Sequence, residues 1–176
     1  MTEPLETRYE GRFLRMVARG HWEFVERANS TGVVAVLAVT PDEKILLVEQ
    51  FRPPVDCSVI EIPAGLAGDI AGEENEDFST AAVRELAEES GYEPEEVRFL
   101  GAGPSSAGLT NECISFYEAT KIKKVGDGGG DESESIIVHE VPLIGLRAWL
   151  NERAECGAMI DPKIFAALAM AGRNFS

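Results

Sequence analysis

In Arg84-Glu85-Leu86-Ala87-Glu88-Glu89-Ser90-Gly91-Tyr92 three carboxylates fall at helical spacing and a glycine then ends the run. Spacings of i, i+3 and i+4 bring Glu85, Glu88 and Glu89 to one face of an α-helix, where like charges repel. A hard divalent cation with oxygen ligands offsets that repulsion. Arg84, four residues before Glu88, can pair with that carboxylate and leave Glu85 and Glu89 to face the metal. Ala82, Val83, Leu86 and Ala87 supply an opposite apolar face, so the predicted helix buries one side and is not a solvated charge run.

Glu76 lies eight positions before Arg84, so the chain reads Glu, seven residues, then Arg-Glu-Leu-x-Glu-Glu-x-Gly-Tyr. This pattern resembles the Nudix box, the loop-helix-loop signature of hydrolases that cut nucleoside diphosphates linked to another moiety. The family pattern has a glycine six residues before its first glutamate; here that position is Ile70, and Pro63-Ala64-Gly65 resembles the family's glycine turn. A loop longer by about five residues would then join Gly65 to the helix. Glu73 competes with Glu76 for the place of the first glutamate.

Val48-Glu49-Gln50-Phe51-Arg52-Pro53-Pro54, Glu61-Ile62-Pro63-Ala64-Gly65, Gly108-Leu109-Thr110-Asn111 and Trp22-Glu23-Phe24-Val25-Glu26-Arg27 are similar to one branch of the family, the ADP-ribose pyrophosphatases. That resemblance implies an enzyme using Mg²⁺, with Mn²⁺ as the alternative ion, that cleaves ADP-ribose to AMP and ribose 5-phosphate or acts on a related nucleoside diphosphate sugar. It implies metal ligands in Glu85, Glu89, Glu88 and the backbone carbonyl of Ala64. Glu132 and Glu134, which follow a glycine loop and precede Ile136-Ile137-Val138-His139, match the place of the family's catalytic glutamate. Spacing does not decide which is the base; we take Glu132 as base and Glu134 as metal-associated, with Glu88 also in the catalytic set. A solvated acidic loop is the plainer reading of that pair.

The resemblance further implies substrate contacts from Arg52, Glu61 and Trp22. Arg52 suits the diphosphate as a planar, permanently charged donor, and a surface arginine at a strand end is its alternative. Trp22 matches an aromatic that stacks on adenine across a homodimer interface, and core packing is its alternative. The branch often has a proline sixteen positions after the glycine that ends the box, where this chain has Ala107. A Nudix-fold sensor that binds a nucleotide sugar without turnover is the rival function, and the intact box carboxylates oppose it.

Composition narrows the partners. The 176 residues, 44% of them apolar, can bury a real core. A net charge of −15 argues against holding nucleic acid through its phosphates. An anionic small substrate then needs metal ions and local arginines. Cys57, Cys113 and Cys156 are far apart and odd in number, which fits a reducing cytoplasm. The N-terminus lacks a signal pattern and no apolar run reaches membrane-spanning length, so neither export nor a membrane is expected. His21 and His139 have no Cys or His at ligand spacing and read as strand residues.

The elements that must position these groups are readable in outline. Arg12–Val17 and Trp22–Arg27 read as a hairpin about Gly20-His21, and Thr31–Thr40 as a buried strand that turns at Pro41-Asp42 into Ile45–Gln50. Ile60–Ile62, Val97–Gly101, Glu112–Thr120 and Ser135–Val141 are further strands, with alternation through Cys113, Ser115 and Tyr117. The carboxylate helix is expected to start near Ser79 as cap, Leu146–Arg153 is a second helix, and Pro162–Arg173 a third, capped by Asp161. Gly126–Gly130 is the predicted mobile loop. The class is α/β, and the resemblance implies an α/β/α sandwich around a mixed sheet: an antiparallel N-terminal β subdomain over 1–30, then a Nudix domain over 31–176.

Overall fold

A computed structural model describes residues 3–28, 31–70, 72, 74–130 and 135–175. Its first strands, β1 (Leu5–Glu10), β2 (Leu14–Arg19) and β3 (Trp22–Arg27), form an antiparallel sheet in the order β1-β2-β3. The expected hairpin thus has a third strand. All six residues of β1 are exposed, so no apolar period marks it in the sequence. Gly20 turns β2 into β3 at φ 62°, and His21 sits in this turn instead of in a strand.

The next strand, β4 (Gly32–Ala38), is apolar throughout because both its faces are covered. Val33, Ala35 and Leu37 enter one core cluster, while Val34, Val36 and Ala38 enter another. A turn held by Thr40 Oγ1 donating to Asp42 at 2.7 Å leads to β5 (Lys44–Arg52), and beyond an isolated bridge of Val39 with Ile45 the strands β4 and β5 join different sheets. After the 3₁₀ turn Pro53–Val55 come β6 (Cys57–Glu61), β7 (Ala64–Ala67), α1 (Phe78–Ser90), β8 (Tyr92–Glu93), β9 (Glu96–Pro104) and β10 (Cys113–Thr120). The chain continues through β11 (Lys123–Lys124), β12 (Ile136–Pro142), α2 (Leu146–Glu155), β13 (Met159–Ile160) and α3 (Lys163–Met170).

Two mixed sheets form the body, in the orders β7-β4-β10-β9 and β12-β5-β6-β13. Leu146, Leu150, Ile164 and Leu168 of α2 and α3 pack into the core cluster on one side, and Ala81, Ala82 and Leu86 of α1 into the cluster on the other. The result is the expected α/β/α layering. In β10 the expected alternation fails: as a central strand it is buried continuously from Ile114 to Ala119. Among the described residues no helix is long and apolar enough to cross a membrane.

Candidate active site

The start of α1 lies slightly earlier than the sequence suggests. Asp77, not Ser79, is the N-cap, and its carboxylate accepts from the Ser79 backbone N–H at 2.8 Å. Gly91 closes the helix in the left-handed region at φ 75°. Between these stops, Glu85 and Glu89 fall on the buried side, 8% and 4% exposed, while Glu88 is exposed.

Arg84 organises the entry to this face. Its Nε and Nη2 donate to the two oxygens of Glu76 at 3.1 and 3.0 Å, a bidentate pair. Nη2 also reaches the Leu66 carbonyl at 2.9 Å, and Nη1 donates to Glu85 at 2.9 Å and Glu88 at 3.1 Å. The expected Arg84–Glu88 contact is therefore one of several. Of the two candidates for the first glutamate of the box, Glu76 is held by Arg84, and Glu73 lies outside the described residues. Hydrogen bonding to Arg84 holds the Glu76 carboxyl below the usual glutamate range.

Glu85 is under the opposite pressure. Burial pushes its pKa up to about 7, with Arg84 pulling the other way. Its carboxylate lies directly against Gly65, where an added Cβ would come within 1.9 Å of the carboxylate carbon. Any larger residue at 65 would displace the Glu85 carboxylate from this position. Glu89 is anchored to the same strand, β7, where the sequence suggests a glycine turn, accepting from the Ala64 N–H at 3.0 Å. Among the described residues no three acidic, His or Cys side chains converge as a ready-made metal cluster. The donor set nevertheless suits a hard cation: buried carboxylates beside the start of β7, left clear by the missing Cβ of Gly65, with burial disfavouring the unbound charge of Glu85.

A cleft of about 540 Å³ runs past these groups. Ala64, Glu85, Glu88 and Glu89 line it together with Arg52 and Glu61, so most of the expected site residues share one space. Arg52 is not an idle surface residue, since its Nε donates to Glu61 at 2.6 Å. Glu61 is 6% exposed and also faces Lys163 Nζ at 3.4 Å. Trp22 is not in the core: it is 55% exposed on the N-terminal sheet and is absent from this cleft. His139 meets Glu49 at 2.9 Å and packs edge-on against Trp149, a structural pairing. Glu132 and Glu134 lie outside the described residues.

The segment leading to that pair is better held than its composition suggests. Gly129 and Gly130 donate their N–H groups to the carbonyls of Glu89 and Glu88 at 2.9 and 3.1 Å, and Val125 donates to Gly91 O at 2.8 Å. A Cβ on Gly128 would lie 2.5 Å from the Ser90 carbonyl carbon. The missing Cβ of Gly128 therefore permits close backbone docking on the end of α1, so the segment where the sequence suggests a mobile loop makes hydrogen bonds to the helix end.

Sequence reading missed two cations of the cleft. Arg27, from β3, pairs with Glu112 at 2.5 Å, and Lys163 comes from the first turn of α3. Neither carries a local signal, because only the packing of distant elements brings them here.

The NUDIX domain family matches residues 29–150. The chain belongs to the Nudix family. Similar proteins include a methanol dehydrogenase activator of Bacillus methanolicus, 38% identical over 129 residues that cover 73% of this chain and 67% of that protein. An ADP-ribose pyrophosphatase of Bacillus subtilis is 37% identical over 67% of this chain and 62% of its own length. An ADP-sugar pyrophosphatase of Mus musculus is 32% identical over 79% of this chain and 65% of its own length. The chain thus spans less than two thirds of the last two relatives. By these likenesses it sits in the ADP-ribose pyrophosphatase-like branch of the Nudix hydrolases. A crystal structure of an ADP compounds hydrolase shares the fold, with a TM-score of 0.72, 18% identity, and coverage of 97% of this chain and 91% of that one.

Proposed function

We propose that the cleft is the active site of a metal-dependent pyrophosphohydrolase that cleaves ADP-ribose, or a related nucleoside diphosphate sugar, at its diphosphate. The observation that carries this reading is the convergence of Ala64, Glu85, Glu88 and Glu89 with Arg52 and Glu61 in one cleft. The names of the Bacillus subtilis and mouse relatives support the substrate class. When bound, Mg²⁺ or Mn²⁺ held by Glu85, Glu89, Glu88 and the Ala64 carbonyl would offset diphosphate charge and acidify a water.

The chain's own groups do the rest. Arg52, fixed through Nε by Glu61, keeps its two Nη groups for phosphate oxygens. Glu85 and Glu89 are prevented from swinging by the Gly65 contact and the Ala64 N–H. In this reading Glu132 takes the proton of the attacking water, and Glu134 assists on the metal side. AMP and ribose 5-phosphate leave as products of ADP-ribose. The exposed Trp22 fits a homodimer in which each subunit lends its tryptophan to the other's adenine. Free Cys57, Cys113 and Cys156 fit a cytoplasmic setting.

The direct experiment incubates the protein with Mg²⁺ and separately with Mn²⁺ on ADP-ribose, ADP-glucose and GDP-mannose, and separates products by chromatography. A nucleoside monophosphate and a sugar phosphate are expected from at least one of them. No turnover of any of the three would sink the hydrolase reading.

A further inference from the structure

Lys163 lies beyond the matched Nudix segment, which ends at residue 150, yet it lines the same cleft as the box carboxylates. A chain of local contacts delivers it there. Strand β13 pairs in parallel with β6, with Ile160 opposite Ile60, and the Asp161 N–H donates to Ile60 O at 2.9 Å. The Asp161 carboxylate then accepts from the Lys163 backbone N–H at 2.7 Å, fixing the first turn of α3 beside the end of β6. Glu61 is the residue after Ile60, so the lysine side chain arrives against it.

The cluster formed this way is charge-balanced. Glu61 engages Arg52 through Oε2 at 2.6 Å and faces Lys163 through Oε1 at 3.4 Å, while Lys163 Nζ also binds the Asp161 carboxylate. Two cations meet two carboxylates, one of them, Glu61, almost wholly buried. An ammonium has three N–H donors, and two are directed to these partners, which leaves one for a ligand in the cleft. With its charge shared between two carboxylates, the Lys163 ammonium suits a hydroxyl better than phosphate, whose charge is met by Arg52 and at the metal-binding end of the cleft.

We propose that Lys163 is a substrate-binding residue that donates to a hydroxyl of a sugar ring flanking the diphosphate, and so contributes to sugar specificity. This rests on the pyrophosphohydrolase reading for the diphosphate, and the sugar is either the nucleoside ribose or the terminal unit. The test compares wild type with Lys163→Met, both with Mg²⁺, on three substrates: ADP-ribose, its analogue with a 2′,3′-dideoxy nucleoside, and the methyl ester of ADP, which lacks a terminal sugar. Loss of a hydrogen bond from a charged donor should raise KM for ADP-ribose about tenfold with kcat little changed, while the melting temperature falls because buried Glu61 loses one of its two cations. The loss should vanish on the dideoxy analogue if the nucleoside ribose is bound, or on the methyl ester if the terminal sugar is bound.

An unchanged KM would overturn the proposal, and so would an equal loss on both analogues, since a structural role or a phosphate contact affects every substrate alike. If wild type turns over none of the three, the hydrolase reading fails by itself, and calorimetric titration of ADP-ribose with Mg²⁺ decides about Lys163. Binding about tenfold weaker in Lys163→Met supports the contact. Equal binding, or none to wild type, refutes it.

Discussion

Gly65→Ala separates the chemistry of the cleft from its stability. The new Cβ would lie 1.9 Å from the Glu85 carboxylate carbon and 2.1 and 2.2 Å from its oxygens. Carbon atoms pack at ~3.5 Å or more, so the carboxylate must retreat by about 1.6 Å from its 1.9 Å position. Gly65 is not among the glycines with positive φ, so alanine strains no backbone there. The stability loss is then that of one displaced side chain, about 1 kcal/mol, or roughly 2–4 °C in melting temperature for a chain of this size. Catalysis is less forgiving. A misplacement of about 1 Å can lower rate about 100-fold, equivalent to ~2.7 kcal/mol of barrier. The assay is kcat/KM on the best substrate with saturating Mg²⁺, next to a thermal melt. Gly103→Ala serves as control, because its added Cβ meets nothing within 4 Å. Retention of more than about a third of wild-type kcat/KM by Gly65→Ala would refute the argument, since Glu85 would then not need the position it occupies.

Four further outcomes follow from the same contacts. Glu89→Gln should lower kcat by about 100-fold or more with an unchanged circular dichroism spectrum, and near-normal turnover would remove Glu89 from the metal set. Glu76 is held below its usual 4.5 by Arg84, so the pair stabilises the fold above that pH and the benefit fades as pH falls through the lower folded-state value. Glu76→Gln should therefore unfold more easily in urea at pH 7, by about 2 kcal/mol, with the gap closing as pH falls below the usual glutamate range; a gap independent of pH would contradict the pairing. Gly128→Ala meets both a φ of 68° and the backbone of α1, and should cost about 2–3 kcal/mol, so an unshifted melting curve would mean that the clasp does not hold in solution. Mixing inactive Trp22→Ala with inactive Glu85→Gln should restore part of the activity if the two residues serve one site across a dimer, whereas confirmed subunit exchange without recovery would count against sharing.

The carboxylate helix was legible in the sequence because its determinants are local. Helical spacing placed Glu85, Glu88 and Glu89 on one face, and the stop at Gly91 was readable from its freedom to take positive φ, although the close approach of Gly126 to it was not. The buried strand β4 was readable for a similar reason, since an unbroken apolar run signals cover on both sides. Where a residue's state depended on distant partners, pattern reading stopped: β1 is held by pairing with β2 and not by burial, and β10 lost its apparent alternation by becoming central.

What tertiary structure alone decided is how the cleft is assembled. A glycine at 65 reads as a turn, but its use is to admit the Glu85 carboxylate from a helix twenty residues away. A glycine-rich run from 126 to 130 reads as a flexible loop, but the missing Cβ of Gly128 lets the run lie against the end of α1 and donate two N–H groups to it. Lys163 reads as a lysine after a helix cap, and becomes part of the cleft through the pairing of β13 with β6. Short-range spacing is written in the chain because neighbouring backbone angles are coupled; which groups meet across a cleft is settled by sheet pairing and core packing, whose partners are far apart in sequence.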